Sequence, residues 1–311
     1  MSKMSYIVLR KKIEPYNKKI IMEGDKSLSI RWALISSQSF SKCRSSNLLM
    51  SEDVINTLNC LKKLGVKIKL TKNFCEIIGV GLNGFKYKKK LLLNAGNSGT
   101  LGRLIMGLLV HAKNNIKLIG DKSLSKRDFL RVSKPLEKFG AKYFTNFGKL
   151  PIVIKGTNTP LPITYHETRG SAQCKSAVML AALNTKGETI IKAKKSRDHS
   201  ELLFKYLRLP IKIFKKKRYD LIKIKGGKKI PALNYKIPAD ISSSAFFIVL
   251  TALAKNSKLK IKNVNINPSR TGVLIILKKM GVRILQKNKK IYKGERIADL
   301  IIKSSKKFKP I

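Results

Sequence analysis

Leu61-Lys62-Lys63-Leu64-Gly65-Val66-Lys67-Ile68 reads as the end of a helix, a glycine that closes it, and the start of a strand. Leu136-Glu137-Lys138-Phe139-Gly140-Ala141-Lys142-Tyr143 repeats the pattern, and so does Leu277-Lys278-Lys279-Met280-Gly281-Val282-Arg283-Ile284. A degraded copy, Lys205-Tyr206-Leu207-Arg208-Leu209-Pro210-Ile211, has Arg208 where the glycine would stand. Counted through positions 65, 140, 208 and 281, the copies fall 75, 68 and 73 residues apart. A unit of that length with helical and strand parts implies a modular α/β architecture assembled from one folding unit. Four units fit, and a fifth has barely begun at Ile311.

Upstream of the first copy, Gly24-Asp25-Lys26-Ser27-Leu28-Ser29-Ile30-Arg31 follows the extended segment Lys19-Ile20-Ile21-Met22 and opens onto the apolar, helix-prone run Arg31-Trp32-Ala33-Leu34-Ile35. Gly24 permits a sharp entry, and Ser27 or Ser29 is expected to cap the helix. Lys26 and Arg31 then stand on or near its N-terminus, where free backbone N–H groups already favour an anion. This set of side chains suits a phosphate or carboxylate, although it also describes a capped surface helix with basic decoration. Gly120-Asp121-Lys122-Ser123-Leu124-Ser125-Lys126-Arg127 nearly duplicates the stretch 96 residues later. Between the two, Asn94-Ala95-Gly96-Asn97-Ser98-Gly99-Thr100-Leu101-Gly102-Arg103 links the strand Leu91-Leu92-Leu93 to a helix-like run over 104–110. Its glycines let backbone N–H groups approach a ligand, and Thr100 and Arg103 add polar reach. No GKS or GKT follows, so it is not a Walker loop. Two Lys/Ser/Arg clusters in one α/β chain point to a doubly anionic substrate.

Gly170-Ser171-Ala172-Gln173-Cys174-Lys175-Ser176-Ala177 leads into another apolar run. Ser171 is the expected N-cap, and Gln173 offers a bidentate amide. Lys175 opposes the helix dipole in the first turn, so it is expected to face a bound anion. Ser196-Arg197-Asp198-His199-Ser200-Glu201 precedes a further helix. Asp198 and His199 are adjacent at a helix start and do not face each other; His199 is read as structural or substrate-orienting, not as half of a catalytic dyad.

At 311 residues and 43% hydrophobic content, the chain is long enough for two domains with real cores. Lysine and arginine number 67 against 17 acidic residues, a net charge of +50. Such an excess raises the question of a nucleic-acid partner. The basic residues are spread over the whole length, however, and aromatics make up only 7%. The pattern is read as a bias toward Lys, Ile and Asn laid over a protein for small anionic ligands, with no specific nucleic-acid partner and unspecific polyanion binding at low salt. Cys43, Cys60, Cys75 and Cys174 are too far apart for a CxxC pair, and His111, His166 and His199 make no HExxH spacing. Idle thiols in a reducing compartment are expected. The N-terminus lacks the apolar core of a signal peptide, and no apolar run reaches the ~20 residues that span a bilayer. A soluble, cytoplasmic chain without membrane contact is expected.

In chain order, GDKSLSIR (24–31), NAGNSGTLGR (94–103), GDKSLSKR (120–127), SAQCKSA (171–177), SRDHSE (196–201), PADISSSAFF (238–247) and NPSRTG (267–272) resemble the motifs of the 5-enolpyruvylshikimate-3-phosphate synthase family, the 3-phosphoshikimate 1-carboxyvinyltransferases. The resemblance covers essentially the whole chain. It implies the enolpyruvyl transferase fold: two similar domains, each of three βαβαββ units, with the substrates between them. Residues 24–237 would form the first domain, and 1–23 with 238–311 an incomplete second, with hinges before Gly24 and near Pro238. It also implies transfer of the enolpyruvyl group from phosphoenolpyruvate to the 5-hydroxyl of shikimate-3-phosphate, without metal or organic cofactor, by a monomer.

By motif, Lys26 would touch both shikimate-3-phosphate and phosphoenolpyruvate, while Ser27 and Arg31 hold the shikimate moiety. Ser171 and Ala172 would lie at its phosphate, joined by Ser196 and Arg197. Gln173 would sit between the substrates, with Gly99 and Arg127 at phosphoenolpyruvate. The inhibitor glyphosate occupies the phosphoenolpyruvate site in this family, and a small residue at Gly99 predicts sensitivity to it. The family continues past the equivalent of Ala298-Asp299-Leu300 into a segment with an acid/base aspartate and a KESDR-like motif, which do not follow here. The expectation is therefore a C-terminally truncated member, lacking the proton transfers that typically give ~10²–10⁴-fold in rate and inactive alone, with Lys26 and Gln173 its remaining contributors to the chemistry. The alternatives are a non-catalytic remnant or basic binding protein, half of a split enzyme, or the UDP-N-acetylglucosamine enolpyruvyl transferase, against which GDKS, SAQCKSA and SRDH argue.

Overall fold

The computed structural model describes residues 12–305 and 307–311, so the first eleven residues of the expected 1–23 segment lie outside the described residues. The chain opens with β1 (Asn17–Ile20) and α1 (Lys26–Ser37), then β2 (Lys42–Ser46), α2 (Glu52–Lys63), β3 (Lys67–Leu70) and β4 (Phe74–Ile78). Next come β5 (Leu91–Asn94), α3 (Gly99–Leu108), β6 (Ile116–Ile119), α4 (Lys122–Ser125), α5 (Leu130–Glu137), β7 (Lys142–Asn146) and β8 (Lys149–Lys155). The third run is β9 (Thr164–Glu167), α6 (Ala172–Leu183), β10 (Glu188–Lys194), α7 (His199–Tyr206), β11 (Ile211–Lys215) and β12 (Tyr219–Lys225). The last is β13 (Tyr235–Lys236), α8 (Ile241–Leu253), β14 (Lys258–Asn265), α9 (Gly272–Lys279), β15 (Ile284–Tyr292) and β16 (Glu295–Lys303).

These strands form four sheets with one plan: β13-β2-β4-β3, β5-β6-β8-β7, β9-β10-β12-β11 and β1-β14-β16-β15. In each, the first two strands are parallel and the later pairs antiparallel. Parallel neighbours need a crossover helix, and α3 and α6 supply it for the second and third sheets. The other two sheets exchange their first strands across the chain: β1 pairs with β14, and β13 with β2. The chain therefore passes twice between sheets, at Glu23–Asp25 and Pro238–Asp240. There Gly24 bridges Ala239, and Asp25 N–H donates to the Pro238 carbonyl at 2.8 Å.

The repeated helix–glycine–strand signature has a backbone cause. Gly65, Gly140 and Gly281 adopt positive φ angles of 87°, 102° and 91°, a region glycine enters freely. Arg208, at the corresponding point of the third unit, also adopts φ 51°, at a cost of about 1 kcal/mol for a residue with a Cβ. At the start of α1 the structure corrects the expected cap. Asp25, not Ser27 or Ser29, accepts the Leu28 N–H, and Ser29 instead accepts from Leu49 N–H. Ser171 does cap α6, accepting from Cys174 N–H.

Two apolar clusters result. One runs from Leu28 to Ile237 and takes in α1, α3 and α6, of which α1 and α6 are buried nearly all round. A Cβ at Gly107 would collide with the Ala177 carbonyl, so α3 and α6 touch backbone to backbone at that point. The second cluster runs from Ala239 to Ile302, with Tyr16, Ile20 and Met22 packed against it. All four cysteines are free and buried. Among the described residues no helix is long and apolar enough to cross a membrane.

Candidate functional site

Arg31 lies one turn into α1 and is 3% exposed. Its Nε donates to Ser200 Oγ at 2.9 Å and its Nη2 to Ser176 Oγ at 3.1 Å. Its Nη1 donates to the Ser27 hydroxyl at 2.5 Å and the Ser27 carbonyl at 3.1 Å. Ser176 and Ser200 in turn bond each other at 2.7 Å, so Arg31 ties α1 to α6 and to the start of α7. Arg103 of α3, 4% exposed, donates to Gln173 Oε1 at 2.7 Å, and Gln173 Nε2 donates to Thr100 Oγ1 at 3.0 Å. The first two turns of α1, α3, α6 and α7 are thereby drawn together, and their free N–H groups add positive character.

Burial lowers the pKa of both arginines to about 10; Glu201 and Asp25 oppose this at Arg31, whereas Arg131 reinforces it at Arg103. Both remain charged at neutral pH. Neither forms an ion pair with any described carboxylate. Taking a charge out of water without a counter-ion is costly, so two such groups amount to a stored demand for an anion.

Beside this cluster opens a cavity of about 990 Å³, lined both by residues between the two chain crossings and by residues beyond the second, Asn267 and Arg296 among them. It brings together Ser171, Ala172, Gln173, Ser196 and Arg197. Six basic side chains and two acidic ones line it. Burial lowers the Arg197 pKa, and the nearby Arg270 guanidinium lowers it further. Lys26, Ser27, Arg31, Gly99 and Arg127 are not part of this lining. Arg31 bonds Ser176 and Ser200, which lie behind the wall on α6 and α7 and do not line it either. Half-exposed Lys26 pairs its Nζ with Asp53 Oδ2 at 2.9 Å. Gly99 opens α3, where a Cβ would stand 2.9 Å from Arg103 Nη1 and 3.1 Å from Arg127 Nη1. Arg127 also donates to Asn97 Oδ1 at 3.2 Å. Gly99, Arg103 and Arg127 thus form a second basic group, joined to the cavity through Gln173.

One expectation changes and another holds. Lys175 does not face an anion site: it is fully buried and paired with Glu201 Oε1 at 2.5 Å. Burial raises the Glu201 carboxyl above its ordinary range, against the pull of Lys175. His199 and Asp198 are not bonded to each other, in line with the reading against a dyad. His199 Nδ1 lies 2.7 Å from Glu295 Oε1, and Asp198 Oδ1 accepts from Asn267 Nδ2 at 2.8 Å. Sequence reasoning missed Arg131 and Arg169, which both line the cavity. Their positions, four residues after Arg127 and two before Ser171, were the available signal.

The family profile described as EPSP synthase (3-phosphoshikimate 1-carboxyvinyltransferase) matches residues 10–308. A 3-phosphoshikimate 1-carboxyvinyltransferase of Vesicomyosocius okutanii is 42% identical over 283 residues, 91% of this chain and 64% of the relative. The enzyme of that name from Petrotoga mobilis is also 42% identical, over 94% of this chain and 68% of the relative. The chain thus spans about two thirds of the length of the curated relatives it matches. The solved EPSP synthase of Acinetobacter baumannii superposes with a TM-score of 0.86 at 36% identity, covering 96% of this chain and 66% of that one.

Proposed function

We propose, because the chain belongs to the EPSP synthase family, that its cleft binds shikimate-3-phosphate and phosphoenolpyruvate for transfer of the enolpyruvyl group. The carrying observation is the pair of buried guanidiniums, Arg31 and Arg103, with no carboxylate partner among the described residues. Both substrates bear phosphate and carboxylate groups, which repel until cations neutralise them. Arg31 and Ser27 hold the shikimate ring, while Ser171, Ala172, Ser196 and Arg197 hold its phosphate. Gly99 and Arg127 serve phosphoenolpyruvate, whose closeness to Gly99 makes the pocket sensitive to glyphosate. Lys26 and Gln173 contact both. In the reaction the 5-hydroxyl gives up its proton and its oxygen bonds to C2 of phosphoenolpyruvate as C3 takes up a proton. The C2–O bond to phosphate then breaks, and C3 loses a proton to restore the double bond.

The same reading makes 24–237 one domain and 1–23 with 238–311 parts of another, in a cytoplasmic monomer without a cofactor. Calorimetric titration at physiological salt tests it. Shikimate-3-phosphate should bind and shikimate should bind far more weakly, while a random oligonucleotide should not compete. Equal heats for shikimate-3-phosphate and inorganic phosphate, or displacement by the oligonucleotide, would mean polyanion stickiness and end the proposal.

A further inference from the structure

Arg270 sits in the loop between β14 and α9, with its side chain buried. Nη1 pairs with Asp25 Oδ2 at 2.8 Å; Nη2 pairs with Asp240 Oδ1 at 3.0 Å and donates to Ser242 Oγ at 2.7 Å. These two aspartates stand where the chain passes between the apolar clusters, since Asp25 N–H donates to Pro238 and Asp240 N–H to the Glu23 carbonyl. Each also caps a helix. Asp25 Oδ1 accepts the Leu28 N–H at 2.9 Å, and Asp240 Oδ1 accepts the Ser242 N–H at 2.7 Å. Asp240 Oδ2 accepts the Lys26 N–H at 3.2 Å as well. One guanidinium from beyond the second crossing therefore fixes the first turn of α1, where Lys26 and Ser27 reside and Arg31 follows.

The geometry requires an arginine. Two buried carboxylates repel unless a cation lies between them, and only a planar fork reaches both in fixed directions. His199 closes the other side, with Nε2 at 3.4 Å from Arg270 Nη1. A guanidinium has no acceptor, so Nε2 must accept and Nδ1–H must donate to Glu295. Glu295 Oε2 accepts from Asn265 and Asn267, and Asn267 reaches Asp198 on the cavity wall. A continuous set of bonds thus runs from both chain crossings to the cleft.

We propose that Arg270 is a positioning residue for the phosphorylated substrate: without touching it, Arg270 pins both crossings and so sets Lys26, Ser27 and Arg31 against the cleft wall. The inference rests on the substrate assignment under Proposed function. Arg270→Lys keeps the charge and loses the fork; the double variant Arg270→Gln/Asp240→Asn removes one cation with one anion, which protects folding. Two readouts apply, amide hydrogen exchange at Lys26 and Leu28 and the calorimetric Kd for shikimate-3-phosphate. Both variants should exchange these amides about tenfold faster, with α6 unchanged. Both should also weaken Kd by about tenfold or more, because a small misplacement of a binding group is expensive. A mere charge-balancing role would leave Arg270→Lys indistinguishable from the parent, and that result overturns the proposal. If the parent chain does not bind shikimate-3-phosphate, the substrate assignment falls, and unaltered exchange at Lys26 and Leu28 overturns the pin separately.

Discussion

Helices α6 and α8 both carry apolar side chains around most of their circumference, yet they end in opposite environments. In α6 every residue from Cys174 to Leu183 is buried, because α3, α5, β10 and β12 surround it. α8 packs on β14 and β16, and among the described residues Phe246 remains 78% exposed and Leu253 65%. Ile275 and Ile276 of α9 are exposed as well. Composition alone does not bury a helix; neighbours do, and three sheets contribute helices to the first cluster while one serves the second. Exposed apolar side chains, where they join into a patch, mark an interaction surface or an aggregation liability.

The contrast can be broken most forcefully at the buried pair of the first cluster. Glu201→Ala leaves Lys175 charged and alone in the core, which should cost about 3–5 kcal/mol in urea unfolding. Loss of under about 1 kcal/mol would show that water reaches Lys175 and that α6 is not enclosed as described. Next, Leu34→Ala at a fully buried position of α1 should cost about 2–5 kcal/mol, against under about 0.5 kcal/mol for Leu253→Ala on α8. Similar losses at the two positions would erase the distinction between the clusters. A smaller effect, of the other sign, is expected at Arg208→Gly, which relieves the φ 51° strain and should stabilise the fold by about 0.5–1 kcal/mol. The smallest is Phe246→Ser: stability should shift by less than about 0.5 kcal/mol, while light scattering reports less self-association.

Much of this was legible because it is local. The unit length, the closing glycines at 65, 140 and 281 and the Ser171 cap all depend on a few neighbouring residues. The strand exchange was not readable from pattern, since β13 is only Tyr235 and Lys236 and its partner β2 lies far earlier in the chain. Arg270 and Asp25, 245 residues apart, leave no trace in spacing either. Lys175 misled for a related reason: the dipole argument sees only its own helix, whereas its partner Glu201 stands on α7. The candidate site residues were nominated by motif, and the cost of leaving Arg31 and Arg103 unpaired became visible only with their burial.

Replacing Arg31 by methionine tests the uncompensated charge most directly, with unfolding and shikimate-3-phosphate binding measured on the same preparation. Burial without an anion predicts that Arg31→Met raises stability by about 1–4 kcal/mol and abolishes binding, because fold and ligand compete for the same guanidinium. A variant that is less stable than the parent and still binds would contradict the account.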